Sequence, residues 1–388
     1  MKLKTTIIGF ALALTACVNE GPDLSEQHQR AVGFGSYTEQ FQTRSSDVQR
    51  AIPDGGSMGV YAYYHDGSTW AADANALSLD DSANKLLPDF MWNQQCTYST
   101  DLNAFVYTPL KYWPNEESDK LSFIAYYPYT AESPGNPESP ASPAQTGLTP
   151  LLTNSGKGLP SFNFTVKDDA ADQVDLLVSD LIVDLPQTRD TEDDPGTPFN
   201  DLSIYDKVKF LFHHALAKVE FRIVADAEIR KDIVKFRLTN LGITNIRKTG
   251  TLTTSYSDGT TTLAWSDQSI EQDYAFKTYE PQLLMPQTIL NTAMLNLSYN
   301  ITFKSDGTTY TYVGSTPVAE EEYTYNNEAS LLLNEMKMTG SGAPLTEWLP
   351  NHHYIYTIRL RANRIDFEGE VVNWGDEKEL EDIPIEGD

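Results

Sequence analysis

Two adjacent histidine pairs, His213-His214 and His352-His353, are the residues in this sequence whose type best suits metal binding. Imidazole nitrogen is a common ligand of zinc and related metals. Neighbouring side chains of a strand point to opposite faces, so each pair offers at most one ligand to a given centre. We therefore predict that His213 or His214 lines a corner of the chain. We expect His352 and His353, at the start of a strand, to be exposed to solvent.

Carboxylates are abundant, but their spacing predicts neither a metal site nor a catalytic site. Asp168-Asp169 and Asp190 to Asp194 lack the alternating ligands and the central glycine of a calcium loop. With 55 acidic residues, some pairs will reach the separation of glycosidase carboxylates by chance. A nucleophile elbow, an H-E-x-x-H helix, a P-loop and a dinucleotide-binding glycine pattern are all absent from the sequence. We predict a protein that is not an enzyme and has no cofactor or metal.

The charge balance restricts the possible partners. The chain has 388 residues, enough for two or three domains. Its 28 basic residues stand against 55 acidic ones, which gives a formal net charge of -27. A phosphate backbone would be repelled by this charge, so the composition argues against nucleic acid as a partner.

The N-terminus has the pattern of an export signal. Lys2 and Lys4 precede the apolar run Thr5 to Leu14, which is too short to span a bilayer, and Leu14-Thr15-Ala16-Cys17 ends it. The pattern resembles a bacterial lipoprotein signal, in which residues 1–16 are removed and Cys17 is lipidated. The alternative is an ordinary signal peptide with an incidental cysteine. Cys96 is then left without a disulfide partner.

The central residues 207–224 show how the chain is organised. Apolar side chains alternate with other residues on even numbers in the first half of this stretch and on odd numbers in the second half: Val208, Phe210 and Phe212, then Val219, Phe221 and Ile223. A period of two predicts strands with one buried face. Because a slip of one residue would turn every apolar side chain to the wrong face, the chain must turn or bulge between the halves.

The remaining chain predicts an all-β fold, because short alternating stretches recur and no helical period is sustained. Ala71 to Lys85 is expected to be a polar surface excursion, and Ser133 to Pro160, rich in proline, a long loop. The acidic, proline-containing stretch Pro186 to Leu202 is the best candidate linker. We predict two β-sandwich domains, residues 45–195 and 196–388.

Several stretches, in this order, together resemble the fimbrillin superfamily, the Mfa-like or type V pilins of Bacteroidetes. The matching stretches are the lipobox at Leu14 to Cys17, an early V-G-F strand followed by Gln42-Thr43-Arg44, A-Y-Y-P-Y at Ala125 to Tyr129, F-H-H-A-L-A-K-V-E-F at Phe212 to Phe221, L-M-P-Q at Leu284 to Gln287, W-L-P-N-H-H-Y-I-Y-T-I at Trp348 to Ile358, and V-V-N-W at Val371 to Trp374. The resemblance covers nearly the whole chain. It rests on the occurrence of these stretches together and in this order, and not on any single one of them.

This resemblance implies two transthyretin-like β-sandwiches in tandem and assembly by strand exchange. Residues 17–44 would form a lipidated tether and a removable first strand, Ala31 to Phe41. A protease would cut after Arg44, with Arg50 as the second choice, and a strand from a neighbouring subunit would fill the groove. A loop arginine with no processing role is the alternative for Arg44.

Three further stretches have weaker functional interpretations. Asp81-Ser82-Ala83 resembles the short O-glycosylation site of these bacteria, which makes Ser82 a candidate acceptor. Trp70 and Trp92 could stack on sugars, although core aromatics are common in sandwiches. The acidic tail Gly375 to Asp388 is either a donor strand or a frayed terminus.

The sequence thus predicts a structural or adhesive subunit of a type V pilus. Its partners would be other pilin subunits, the outer membrane through the lipid anchor, and a surface glycan or protein. It would be exposed on the cell outer membrane and, after processing, part of a fimbrium. The alternative is a monomeric, glycan-binding lipoprotein of the outer surface. An acidic glycosidase on a β-sandwich is a third class, which would require two facing carboxylates in a pocket.

Overall fold

The computed structural model describes residues 31–38, 52–76, 86–131, 147–151, 158–186, 207–225, 233–269, 272–276, 281–303, 312–313, 316–317, 323–338, 341–360 and 365–374. Within these residues the regular secondary structure is β-strand with almost no helix, which confirms the all-β prediction. In the described ranges the helical elements are one short α-helix, α1 (Trp70–Ala76), and 3-10 turns at Ala170–Asp172 and Leu333–Glu335.

The strands are short and follow one another with few helical interruptions. In the first part of the chain they are β1 (Gly33–Thr38), β2 (Ser57–His65), β3 (Met91–Ser99), β4 (Ala104–Val106), β5 (Lys120–Tyr127), β6 (Leu148–Leu151), β7 (Ser161–Thr165), β8 (Leu177–Ser179), β9 (Ile182–Pro186), β10 (Lys207–His214) and β11 (Ala217–Ala225). The later strands are β12 (Ile233–Ile246), β13 (Thr249–Ser257), β14 (Thr260–Ser269), β15 (Gln272–Phe276), β16 (Gln282–Leu284), β17 (Gln287–Thr288), β18 (Met294–Phe303), β19 (Tyr312–Val313), β20 (Thr316–Pro317), β21 (Tyr323–Leu332), β22 (Lys337–Met338), β23 (Glu347–Trp348), β24 (His352–Leu360) and β25 (Ile365–Asn373).

The largest sheet has eight strands in the order β1-β10-β8-β5-β2-β3-β4, with β9 also paired to β5. A five-stranded sheet has the order β16-β11-β24-β25-β22. Two four-stranded sheets, β15-β12-β18-β21 and β14-β13-β7-β6, and the two pairs β17-β23 and β19-β20 complete the described strands.

Two clusters of buried apolar side chains form the core, and strand β2 contributes to both. Val60 and Ala62 belong to the smaller cluster, whereas Tyr61 and Tyr63 belong to the larger one, which extends to the C-terminal sheets. Successive side chains of a strand point to opposite faces, so a strand between two cores is buried on both sides.

In residues 207–224 the buried side chains change from even-numbered to odd-numbered positions, as the sequence predicts. The inward side chains of β10 enter the smaller cluster and those of β11 enter the larger one. Ala215 and Leu216 lie between the two strands and are fully buried. The corner thus carries the chain from one core and one sheet to the other.

Strand pairing crosses the predicted boundary between residues 195 and 196 in two places. Strand β10 pairs with β1 and β8, and β13 pairs antiparallel with β7. The division into residues 45–195 and 196–388 stays a prediction. Within the predicted loop Ser133 to Pro160, Leu148–Leu151 forms a strand, which corrects that expectation. This strand is at the edge of its sheet, where a proline such as Pro150 is tolerated.

Gly59 lies beneath a buried contact between strands β3 and β5. A Cβ atom at this position would be 2.2 Å from Cε1 of Tyr126 and 2.6 Å from Oδ1 of Asn93. The Tyr126 hydroxyl donates to that same Oδ1 at 2.8 Å. The ring and the amide therefore approach the sheet closely only because residue 59 has no side chain.

Gly59→Ala should lower the free energy of unfolding by about 2 kcal/mol, because the buried Tyr126 ring must shift to make room. Gly369→Ala is the matched control, since the nearest atoms to its Cβ lie at 3.9 Å. That variant should be neutral or stabilising by a few tenths of a kcal/mol, on the order expected for alanine replacing glycine without strain. Denaturant unfolding of both variants checks this; equal effects would contradict it.

A buried ionic group joins β11 to β24. Nε2 of His353 lies 3.0 Å from Oε2 of Glu220, and Nε of Arg222 donates to Oε1 of the same carboxylate. His353 is buried, which corrects the expectation of exposure, because its partner carboxylate comes from the neighbouring strand; His352 is half-buried. Burial raises the pKa of Glu220, but the hydrogen bonds from His353 and Arg222 outweigh it and leave this pKa below 4.5.

This lowered pKa predicts a specific loss of stability in acid. Since the folded-state pKa of Glu220 lies below the ordinary value of 4.5, the stabilisation is complete at neutral pH and disappears as the pH falls through the folded-state pKa. Glu220→Gln should flatten this part of the pH dependence, whereas Glu328→Gln, at an exposed position, should keep it. Denaturant unfolding across a pH series measures both; parallel curves for Glu220→Gln and the parent chain would contradict the assignment.

Candidate functional site

Strand β1 is the terminal strand of the eight-stranded sheet. It runs parallel to β10 in the register Gly33↔Lys207 to Thr38↔Phe212. The strand lies within the predicted first strand Ala31 to Phe41, and residues 39–41 lie outside the described residues. An edge strand can leave a sheet by breaking the ladder on one side only.

The residues just before β1 contact the opposite end of the same sheet. Ala31 forms a bridge with Tyr112, and the amide of Val32 donates to the carbonyl of Lys111 at 2.9 Å. The Tyr107 hydroxyl donates to the Val32 carbonyl at 2.7 Å. Residues 107–112 follow β4, the last strand of the sheet, so the N-terminal segment bridges its two ends.

Side chains of this segment fill one side of the smaller core cluster. Ala31 and Val32 are fully buried, and Phe34 is 1% exposed. The Phe34 ring stacks on Phe210 with 5.6 Å between centroids and meets Phe123 edge-on at 5.9 Å. Phe210 and Phe123 belong to other strands and would stay in place if this segment were removed. Removal would therefore uncover their rings and expose an apolar groove along β10.

Two features make β1 a weakly held strand. It contains Gly33 and Gly35, and glycine weakens a strand through lost entropy and packing. The Ser36 side chain is buried, and its Oγ has no hydrogen-bond partner among the described residues. An unsatisfied buried hydroxyl costs about 1 to 3 kcal/mol.

The Tyr107 hydroxyl holds the residue just before β1 in place through its hydrogen bond to the Val32 carbonyl. Burial raises the pKa of this hydroxyl, and a hydrogen bond with the Lys111 backbone offsets part of that rise. The hydroxyl therefore remains a proton donor to the Val32 carbonyl at neutral pH.

The residues predicted for processing and modification lie outside the part of the chain that the structure describes. Cys17, Arg44, Arg50 and Ser82 all lie outside the described residues, as do the acidic run Asp190 to Asp194 and the tail Gly375 to Asp388. Asp168 is described, and it forms an ion pair with Lys248. Cys96 is a buried free cysteine whose thiol pKa is raised by burial, so it is poorly reactive.

The central histidines line the corner between β10 and β11, as predicted. Nε2 of His213 lies 3.1 Å from Oδ2 of Asp180, and Nδ1 of His214 lies 2.6 Å from Oδ2 of Asp175. The His214 ring also stacks on Trp374 at 4.0 Å. The described part of the chain contains no group of three or more His, Cys, Asp or Glu side chains placed to hold a metal ion.

A hydrogen-bonded chain of Asp73, His65 and Ser122 was not predicted from the sequence. Oδ2 of Asp73 lies 2.8 Å from Nδ1 of His65, and Nε2 of His65 lies 2.8 Å from Oγ of Ser122. Serine hydrolases use this order of contacts. Asp73 lies in the segment Ala71 to Lys85, expected to be a surface excursion; Ala71 and Ala72 are exposed, Asp73 is buried against that expectation, and residues 77–85 lie outside the described residues.

Burial gives the Asp73–His65–Ser122 chain a structural role in the described state. His65 and Ser122 are fully buried, and no substrate can reach the Ser122 hydroxyl. The Ser122 Oγ already accepts from the Asp184 amide at 3.1 Å, and Oδ1 of Asp184 accepts from the first amide of α1, that of Trp70, at 2.7 Å. These bonds attach the helix to the sheet. No local sequence signal joins the three residues, because they come from β2, α1 and β5.

The two tryptophans considered for sugar stacking differ in exposure. Trp70 is buried and packs edge-on against Tyr63 at 5.1 Å, so it is a core residue. Trp92 is 42% exposed on β3. In the part of the chain that the structure describes, no helix is long and apolar enough to cross a membrane.

Comparison with known proteins identifies the family to which this chain belongs. The fimbrillin-like family model matches residues 43–374. The fimbrium subunit Fim1C of Phocaeicola vulgatus is 24% identical over 425 aligned positions, covering 100% of both chains. A crystal structure of a fimbrial protein from Bacteroides vulgatus has 21% identity and a TM-score of 0.54, covering 89% of this chain and 99% of that one. At this identity the structural likeness indicates the fold alone, whereas the family model covers most of the sequence. The chain therefore belongs to the fimbrillin-like family and is a fimbrial subunit.

Proposed function

We propose that the chain is a pilus subunit that assembles by exchanging its first strand. It is exported as a lipoprotein anchored at Cys17 in the outer membrane, and a protease cuts it after Arg44 or, as second choice, Arg50. The observation that carries this proposal is the position of β1, a terminal strand that fills an apolar groove beside β10. Its two sandwiches are of the transthyretin-like type, in tandem.

The physical basis of exchange is the state left when β1 is removed. Strand β10 would lose the ladder from Lys207 to Phe212, and the rings around Phe34 would face water. A strand from a second subunit restores both the hydrogen bonds and the apolar contacts, which is recognition by β-augmentation. The buried Ser36 hydroxyl has no hydrogen-bond partner among the described residues, which weakens the binding of β1. An incoming strand without such a hydroxyl would therefore bind more tightly than β1 does.

A monomeric, glycan-binding lipoprotein of the outer surface is the second candidate. The exposed indole of Trp92 favours it, because β3 presents this side chain away from the core. The two candidates differ in one requirement: only the pilus subunit needs removal of the segment that ends at Arg44.

Limited digestion with an arginine-specific protease separates these candidates. We expect a single early cut after Arg44, followed by a ladder of oligomers in size exclusion, because the freed groove accepts a strand from another copy. Intact mass identifies the cut, and Arg44→Gln and Arg50→Gln show which arginine is used. A chain that is cut and stays monomeric would contradict self-assembly by strand exchange.

Substitutions within β1 should alter assembly in opposite directions. Phe34→Ala should destabilise the intact chain by about 3 kcal/mol through the lost ring contacts, and it should speed oligomer formation after cutting. Ser36→Ala removes the orphaned hydroxyl, so it should stabilise the chain by about 1 kcal/mol and slow oligomer formation. Leu102→Ala, at a 53% exposed side chain, is the control. Denaturant unfolding and timed size exclusion give the values; equal assembly rates for the two β1 variants would refute the role of this strand.

A further inference from the structure

A cleft of about 580 Å³ is lined by residues of β3, of β4 and of the loops beside them. Its walls include the exposed Trp92 and polar side chains on the same strand and on neighbouring loops: Gln94, Gln95, Thr97, Thr108 and Tyr129. Every residue that lines it is uncharged. The volume is within the range of small-molecule sites, roughly 300 to 1,000 Å³.

A β-bulge at the start of β3 creates the wall of this cleft. The register between β2 and β3 shifts between Val60 and Ala62, and Asn93 has a φ of 42°, in the left-handed region. Around the bulge Met91 and Asn93 are both buried and Trp92 between them is exposed, and from Gln94 onward β3 pairs regularly with β2 again.

The strained backbone at Asn93 is held by buried hydrogen bonds. Its Nδ2 donates to the Thr130 carbonyl at 3.0 Å, and its Oδ1 accepts from the Tyr126 hydroxyl at 2.8 Å. Gly59 allows this packing, since any Cβ there would collide with both side chains. A non-glycine residue in this conformation needs such support, and strain of this kind is concentrated at functional sites.

The amides of the wall are oriented by their own hydrogen bonds. Nε2 of Gln94 donates to the carbonyls of Gln95 at 3.1 Å and Thr108 at 3.3 Å, and Nε2 of Gln95 donates to Oγ of Ser57 at 3.2 Å. Both N–H donors of Gln94 and one of the two of Gln95 are thus engaged within the protein. Among the described residues nothing donates to either Oε1, so both are available to accept from hydroxyl groups of a ligand.

We propose that this cleft binds a neutral oligosaccharide. A sugar ring has an apolar C–H face that packs on an indole such as Trp92, and hydroxyl groups at its edge that donate to Gln94 and Gln95. The absence of charge on the lining residues and the net charge of -27 disfavour sialylated or sulfated glycans. The inference does not depend on strand exchange, because the cleft is complete in the intact chain.

The test uses the purified full chain with lactose and cellotriose as neutral probes and 3′-sialyllactose as the charged control. Saturation-transfer NMR detects contact and calorimetric titration gives the affinity. Trp92→Ala should weaken the affinity by about tenfold or more, since it removes the stacking surface. Trp92→Phe should keep most of the affinity, and Gln95→Ala should weaken it. Leu349→Ala is the matched control, because Leu349 is similarly exposed at 41% but lies outside the cleft.

Three results would overturn the proposal. One is the absence of saturation transfer to both neutral probes at millimolar concentration. Another is equal affinity in Trp92→Ala and the parent chain, which would place any binding elsewhere. The third is a preference for 3′-sialyllactose over lactose, which would contradict a site for neutral sugars. Because Trp92 is exposed, Trp92→Ala is expected to fold, and its thermal unfolding is compared with that of Leu349→Ala.

Discussion

The smaller core depends on a parallel contact between β1 and β10, in which Phe34 stacks on Phe210. Phe34 of β1 and the preceding Ala31 and Val32 belong to that core, and Ala31 and Val32 also join the two ends of the eight-stranded sheet. A core completed by the first strand of the chain can lose that wall through one cut. The same residues therefore determine both the stability of the intact subunit and its proposed ability to accept a strand from another copy.

The corner at Ala215 and Leu216 connects the smaller core to the rest of the described structure. Strand β10 pairs with β1, and β11 begins after the two corner residues, in the sheet that holds the Glu220–His353 contact. Displacement of β1 thus acts directly on β10, while β11 stays paired with β24 on the other side of the corner. We expect the larger core to persist when the smaller one changes its strand, because its contacts are formed by other residues.

The sequence predicted local features of this arrangement because they follow from a period of two. The two phases of residues 207–224 and the first strand could be inferred in this way, and the cysteine count alone left Cys96 unpaired; its burial was not predicted. Strand partners could not, since the pairing of β1 with β10 and of β7 with β13 joins segments far apart in the chain. The exposure of Trp92 depends on a bulge held by Asn93 and Tyr126. The burial of His353 depends on a carboxylate from β11. Both depend on tertiary contacts that no local pattern records.

Hydrogen exchange of the β10 amides tests the central claim most directly. It should be measured by mass spectrometry over Lys207–His214 in the intact chain, in the chain cut after Arg44 and freed of its N-terminal segment, and in assembled oligomers. The account predicts protection in the intact chain, fast exchange after removal of β1, and renewed protection in the oligomers. Protection of β10 that persists in the cut monomer would contradict the claim that β1 occupies an exchangeable groove.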